Sequence, residues 1–356
     1  MGSECRLCPV SCGADRTTQA GACGASAQVR VAKYGLHPYE EPCISCKNGS
    51  GTVFFSGCAL RCVFCQNHEI SRAAVGETCD DDRLIRIFCE LEERGAENIN
   101  LVTASHFVPQ LLRVFAKYRP KIPVVYNTHS YERVEVLQAI DKYIDVYLPD
   151  LKYFSPKVSL RYTGKDNYFE YASRAVEFMA GRKAEFEGEK MVRGCIVRHL
   201  ILPLNIRDSM ALIDWFARKN FPAYFSLMSQ YTPCGEIENF PELQRRITRR
   251  EYEKVLSHLL ASGMERVFTQ GYGSADEKFI PDFSGEKTSF NAVWRRARGA
   301  VLRSCAPAAP PARGMPPPGA LPVRLIFAFH SSCRKYADSD ENYVDDLRKR
   351  TLRLRR

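Results

Sequence analysis

Cys58, Cys62 and Cys65 stand in a C-x3-C-x2-C spacing. They follow residues 52–55, a β-branched and aromatic run that reads as a buried strand, broken by Ser56-Gly57. Three thiolates on one short loop can hold three irons of a cubane cluster and leave the fourth iron without a protein ligand. An open metal position is where a substrate or cofactor binds, so the arrangement is catalytic rather than closed. A zinc knuckle or three unrelated buried thiols would use the same residue types.

A second group, Cys5, Cys8, Cys12 and Cys23, lies in a segment rich in Gly, Ala and Ser. With little to bury, such a piece folds mainly by gripping a metal. Four cysteines match a tetrahedral zinc site and equally an iron–sulfur cluster. Cys43 and Cys46 add another pair, which either completes a site with the N-terminal group or forms none.

The elements that must position these groups alternate. Leu36 to Pro42 reads as an extended connector to the first strand. Helical periodicity covers residues 80–95, 108–117, 132–140, 171–181 and 210–218, and Thr248 with Glu251 opens a capped helix to 262. Apolar runs at 98–103, 123–128, 146–152, 192–203 and 223–233 read as further strands, with a last short extended piece at 266–270. Strand, helix and strand in this rhythm imply parallel βα units, expected here as an open (β/α)6 barrel of α/β class. In such folds functional groups gather at the C-terminal ends of strands. Asn127, Thr128, Asp150 and Lys152 fall there, and His106 follows the second strand. Arg198 and His199 interrupt an apolar run and need partners. Gln230 and Tyr231 are placed to line a substrate mouth.

The chain has 356 residues, 45% of them hydrophobic, enough for one large domain with appendages. No apolar run is long enough to span a membrane, and no secretory signal opens the chain. Fifteen cysteines, an odd number, cluster mostly in the first ninety residues, which favours metal ligation in the reducing cytoplasm over a disulfide framework. Much of the net charge of +10 lies near the C-terminus, off any recognisable nucleic-acid module, so no nucleic-acid partner is expected. The expected division is a Cys-rich segment and connector at 1–48, the barrel at 49–285, and a Pro-rich, basic, disordered tail at 286–356.

The cysteine spacing, with Phe64 before the last cysteine, resembles the radical S-adenosylmethionine (SAM) superfamily. Further pieces resemble its uncharacterised group homologous to pyruvate formate-lyase activating enzymes. They are the four-cysteine start, Glu40-Glu41-Pro42, Phe54-Phe55-Ser56-Gly57-Cys58, Cys65-Gln66-Asn67, Tyr147-Leu148-Pro149-Asp150-Leu151-Lys152, Val197-Arg198-His199-Leu200, Leu227-Met228-Ser229-Gln230-Tyr231 and Phe279-Ile280-Pro281-Asp282-Phe283. The resemblance implies a [4Fe–4S] cluster on Cys58, Cys62 and Cys65 whose open iron takes SAM. Reductive cleavage then gives methionine and a 5′-deoxyadenosyl radical. It implies that Lys152, in an Asp-x-Lys element with Asp150, pairs with the SAM carboxylate, and that SAM contacts lie on the strand of Arg198 and His199. Asn127 stands where the activating branch has an aspartate for a cation. The Gly-Gly-Glu element that contacts the SAM amino group is absent; Thr103-Ala104-Ser105-His106 stands there. Implied partners are a reductant such as flavodoxin or ferredoxin and a glycyl radical protein as one candidate substrate. The competing reading is a non-enzymatic iron–sulfur or zinc scaffold.

Overall fold

Among the described residues seven strands run parallel, and their register decides which side chains face inward. The structure is a computed structural model describing residues 4–274. In chain order, β1 (Val29–His37), α1 (Pro42–Ser45), β2 (Ser50–Phe55), α2 (His68–Ser71) and β3 (Glu77–Cys79) come first. Then follow α3 (Asp81–Glu93), β4 (Ile99–Val102), α4 (Val108–Lys117), β5 (Val124–Thr128), α5 (Val134–Ile140) and β6 (Val146–Pro149). The chain continues through α6 (Pro156–Thr163), α7 (Tyr168–Ala180), β7 (Glu185–Glu187), β8 (Lys190–Leu200), α8 (Ile206–Lys219), β9 (Tyr224–Met228), α9 (Arg249–Ala261) and β10 (Val267–Thr269). The sheet order is β10-β9-β8-β6-β5-β4-β2-β1-β3, with β7 paired to β8, so the barrel is open.

The six expected barrel strands are β2, β4, β5, β6, β8 and β9, all joined in parallel. The short extended piece joins β9 as β10, a seventh parallel strand. The connector expectation is corrected in part: Leu36 and His37 end β1, a nine-residue strand antiparallel to β2. Its alternation is hidden because the register shifts between Val31 and Lys33, and only Val29 and Val31 are buried. Periodicity also passes over α6, whose markers are Pro156 at its start and Gly164 just past its end at φ 70°. The tail and Phe279–Phe283 lie outside the described residues.

Alternate residues of each strand face opposite sides. The outward set, including Val53, Leu101, Tyr126, Tyr147, Val197 and Phe225, packs under the helices in the main core. The inward set holds Val125, Val146, Leu148, Ile196 and Phe268, and Cys43 and Ile44 of α1 pack against it. α1 therefore plugs the apolar part of the interior. It is held there by Asn98, whose Nδ2 donates to the Ile44 carbonyl at 2.7 Å while its Oδ1 accepts from Ser50 Oγ at 2.7 Å. Further along the same face, toward the C-terminal strand ends, the inward residues become polar.

At α9, Thr248 and Glu251 form the expected reciprocal cap. Thr248 Oγ1 accepts from the Glu251 N–H at 3.2 Å, and Glu251 Oε2 accepts from the Thr248 N–H at 2.7 Å. Losing such a cap typically costs about 1 kcal/mol. Thr248→Ala should lower stability by that amount in urea unfolding with an unchanged slope against denaturant.

Candidate metal centre

The loop after β2 is gripped from three sides. The Cys58 N–H donates to the Cys23 carbonyl at 3.0 Å, the Val63 N–H to Tyr162 at 2.9 Å, and the Glu236 N–H to Val63 at 2.8 Å. Gly57 has φ 88°, and a Cβ there would lie 2.7 Å from the Cys23 oxygen, so no side chain fits. Phe64 is buried, with its ring edge-to-face against Tyr153, Tyr162 and Tyr231. Tyr231, expected at a substrate mouth, is instead part of this wall, its hydroxyl donating to the Leu243 carbonyl at 2.7 Å. Gln230 lies beside it and accepts from Gln270 at 3.0 Å.

Cys58 and Cys62 are buried and Cys65 is half-buried. Burial raises all three thiols, Cys62 up to about 12, while the Lys152 ammonium pulls the other way on each. Tyr153 Oη lies 3.5 Å from Cys62 Sγ. Such buried thiols become thiolates only with a metal to hold them. Three soft ligands on a fixed loop beside a counter-charge fit an iron–sulfur cluster. Among the described residues, no three His, Cys, Asp or Glu side chains converge on a single ion position. Ligands to separate irons of a cubane need no such convergence.

Beside the loop lies a buried ionic network at the C-terminal strand ends. The Arg198 guanidinium donates to Asp150 Oδ1 at 2.8 Å, Glu40 Oε2 at 2.9 Å and Asn127 Oδ1 at 2.8 Å. Asn127 Nδ2 donates to Glu40 Oε1 at 3.2 Å, and Lys152 Nζ to Asp150 Oδ2 at 2.8 Å. Burial would raise the Asp150 carboxyl, but Arg198 and then Lys152 outweigh it and hold its pKa low. Burial opposes the Lys152 charge, and Asp150, then the Cys62 thiol, raise its pKa nonetheless. Glu41 accepts from Ser226 Oγ at 2.8 Å; burial raises its carboxyl despite Arg198. Asn127 thus bonds a guanidinium through its Oδ1.

The structure brings Asn127, Asp150, Lys152 and Arg198 together but not His199. Arg198 points inward, so His199 points outward, 2% exposed, with Nδ1 2.8 Å from the Leu151 carbonyl and Nε2 2.8 Å from Ser209 Oγ. Burial keeps its pKa down at about 4, so it stays a neutral packing residue. Glu40 and Glu41 are participants to which the sequence assigned no role, although they stand among the pieces that carry the resemblance.

Cys5, Cys8, Cys12 and Cys23 lie in one small segment, and among the described residues no three of them are placed to hold a single metal ion. Cys12 and Cys5 are near enough to influence each other, and the charges of Cys23 and Cys5 act on Cys8. A Cβ on Gly21 would lie 3.4 Å from Cys12 Sγ and 3.6 Å from Cys23 Sγ. The segment docks through Arg16, 7% exposed, which donates to the carbonyls of Ala25, Ser26 and His106. Cys43 is packed inside the barrel and Cys46 Sγ lies 3.6 Å from its carbonyl, so neither joins this group.

The chain is 29% identical over 263 residues to an uncharacterized protein of Methanocaldococcus jannaschii, covering 71% of this chain and 73% of that protein. Among solved structures it is similar to a domain of pyruvate-formate lyase-activating enzyme from Bacteroides vulgatus. That match has 14% identity, covers 46% of this chain and 89% of that one, and has a TM-score of 0.32. It is also similar to Streptococcus suis SuiB, with 15% identity, 61% and 47% coverage, and a TM-score of 0.42. Residues 52–216, from β2 to α8, match the family model of the Radical SAM superfamily. With the cysteine loop directly after the first parallel strand, the chain carries a radical SAM superfamily domain.

Proposed function

We propose that this protein is a SAM-cleaving enzyme whose [4Fe–4S] cluster is held by Cys58, Cys62 and Cys65. Superfamily membership implies the cluster and SAM. The observation that carries the residue assignment is three thiols on one clamped loop with the Lys152 ammonium acting on each of them. When bound, the cluster supplies the electron that splits SAM. The chain's own groups do the rest. Lys152 offers a carboxylate a charged donor, Asp150 and Arg198 hold Lys152 in place, and Phe64 with its three tyrosines keeps water from one side of the loop. The reductant is a small electron-transfer protein of the flavodoxin or ferredoxin kind. A glycyl radical protein is one candidate substrate.

Anaerobic reconstitution with iron and sulfide should give a brown protein that forms 5′-deoxyadenosine when reduced with SAM. A cluster whose EPR signal ignores SAM would leave an iron–sulfur scaffold instead. The N-terminal quartet is a second site, for zinc or another iron–sulfur cluster. A Cys5→Ala/Cys8→Ala variant should lose that metal while keeping about four irons and four sulfides on the barrel loop. Equal metal content in wild type and variant would refute the second site.

A further inference from the structure

The helices α6, α8 and α9 each follow a parallel strand, so their first turns meet outside the barrel at one rim. Asp208, near the start of α8, accepts from the Phe154 and Ser155 N–H groups just before α6, at 2.9 and 2.7 Å. Asn205 Nδ2 donates to Tyr162 Oη of α6 at 3.0 Å, and the Leu204 N–H donates to Glu251 Oε1 of α9 at 2.8 Å. The face so assembled is basic. Its carboxylates Glu242, Glu251 and Glu253 are already paired, with Arg161, Arg245 and Arg249. Lys157, Arg207, Arg246 and Arg250 are exposed and form no ion pair among the described residues.

Lys157, Arg207 and Arg250 each occupy the second position of a helix. The positive end of the helix dipole disfavours a cation there. Stability alone would place acids at these positions, so three cations at one rim need another account. Apolar groups share the face. Leu204 and Leu160, 68% and 52% exposed, are the two most exposed large apolar side chains among the described residues. Leu204 has φ 60°, a conformation that a bulky residue keeps only where its surroundings hold it, here through the bond to Glu251. Apolar contacts ringed by cations suit a protein partner whose contact patch is ringed by carboxylates.

Tyr162 links this face to the cysteine loop. Its carbonyl accepts the Val63 N–H at 2.9 Å, its ring centroid lies 5.9 Å from that of Phe64, and its neighbour Arg161 is exposed. We infer that the face docks the acidic one-electron carrier that reduces the cluster. Leu160 and Leu204 make the apolar contact, and Lys157, Arg207, Arg246 and Arg250 meet the carrier's carboxylates. The carrier gives up one electron and the cluster gains it; no bond forms or breaks. The inference rests on the proposed function and says where its reductant sits. Arg207→Glu/Arg250→Glu reverses two charges and suits both helix ends, so the variant should fold at least as well as wild type. Leu204→Asn removes the apolar group and tolerates positive φ.

Affinities of the reconstituted full-length protein for a labelled flavodoxin and a labelled ferredoxin are measured anaerobically by fluorescence anisotropy. 5′-Deoxyadenosine formation is followed beside them, driven by the same carrier or by dithionite. Wild type should bind one of the carriers, more weakly as salt rises. The double variant should bind it about tenfold to a hundredfold more weakly, and carrier-driven turnover should fall with it while dithionite-driven turnover is unchanged. Leu204→Asn should also weaken binding without touching dithionite-driven turnover. Arg86→Glu, an exposed site on α3 near the other edge of the sheet, should change neither. Wild-type carrier affinity in the double variant, an equal loss in Arg86→Glu, or an equal fall under dithionite overturns the docking face while leaving the SAM enzyme intact. Wild type that binds neither carrier, but binds DNA through these arginines, overturns it as well. Wild type that binds a carrier but forms no 5′-deoxyadenosine with dithionite overturns the SAM enzyme instead.

Discussion

Replacing any one of Cys58, Cys62 and Cys65 by alanine is expected to abolish SAM cleavage while leaving the fold in place. Each thiolate holds one iron, so a variant has two anchors for a cubane. Changes one layer further from a metal typically cost about 10–100-fold in affinity or activity, and loss of a ligand itself should exceed that. The fold should survive because the loop is clamped by backbone bonds from Cys58, Val63 and Glu236 that no cysteine side chain supplies. The metal-free variants should unfold within about 1 kcal/mol of the metal-free wild type. Iron and sulfide content, 5′-deoxyadenosine yield and urea unfolding check the three statements together. Retained SAM cleavage in any of the variants would remove that cysteine from the site.

Arg198→Met should be the most destabilising single change in the polar interior. The guanidinium joins Asp150, Glu40 and Asn127 with side chains only 13%, 20% and 10% exposed for Arg198, Asp150 and Glu40. Removing one partner of a buried ion pair leaves an uncompensated charge, at about 3–5 kcal/mol. The pH dependence has a definite sign. Arg198 and Lys152 hold the Asp150 pKa below its ordinary value. Its ion pairs therefore stabilise the fold above the usual carboxylate pKa of about 4 and are lost as pH falls through the lower folded value. Without Arg198 the buried carboxylates take up protons more readily, which relieves the variant first. The gap between variant and wild type should be widest near neutrality and narrow as pH falls below about 4. Urea unfolding at both pH values measures it. A gap independent of pH would mean that Arg198 acts through packing alone.

Local features were legible without the structure. The α4 helix lies where the apolar spacing predicts it, Val108–Lys117, because each of its cues sits within a turn or two of the residue it orders. The same holds for the Thr248 cap and for three cysteines within eight positions on one loop. β1 was obscured by its register shift, which breaks the alternation that marks a strand. Cys43 and Cys46 had the spacing of metal ligands, but burial in the barrel interior turned Cys43 into a packing residue.

What the chain's order of residues determined by itself is the chemistry that depends on near neighbours: the thiol loop, the alternation of strands and helices, and the strand ends where function gathers. Only the tertiary structure decided between Arg198 and His199, since consecutive strand residues face opposite sides and pairing with β6 and β9 sets which one looks inward. It alone brought Glu40 to Arg198 and Glu41 to Ser226, across 158 and 185 positions of chain. Contacts of that span leave no periodic trace, because loop closure and sheet register, not local preference, create them.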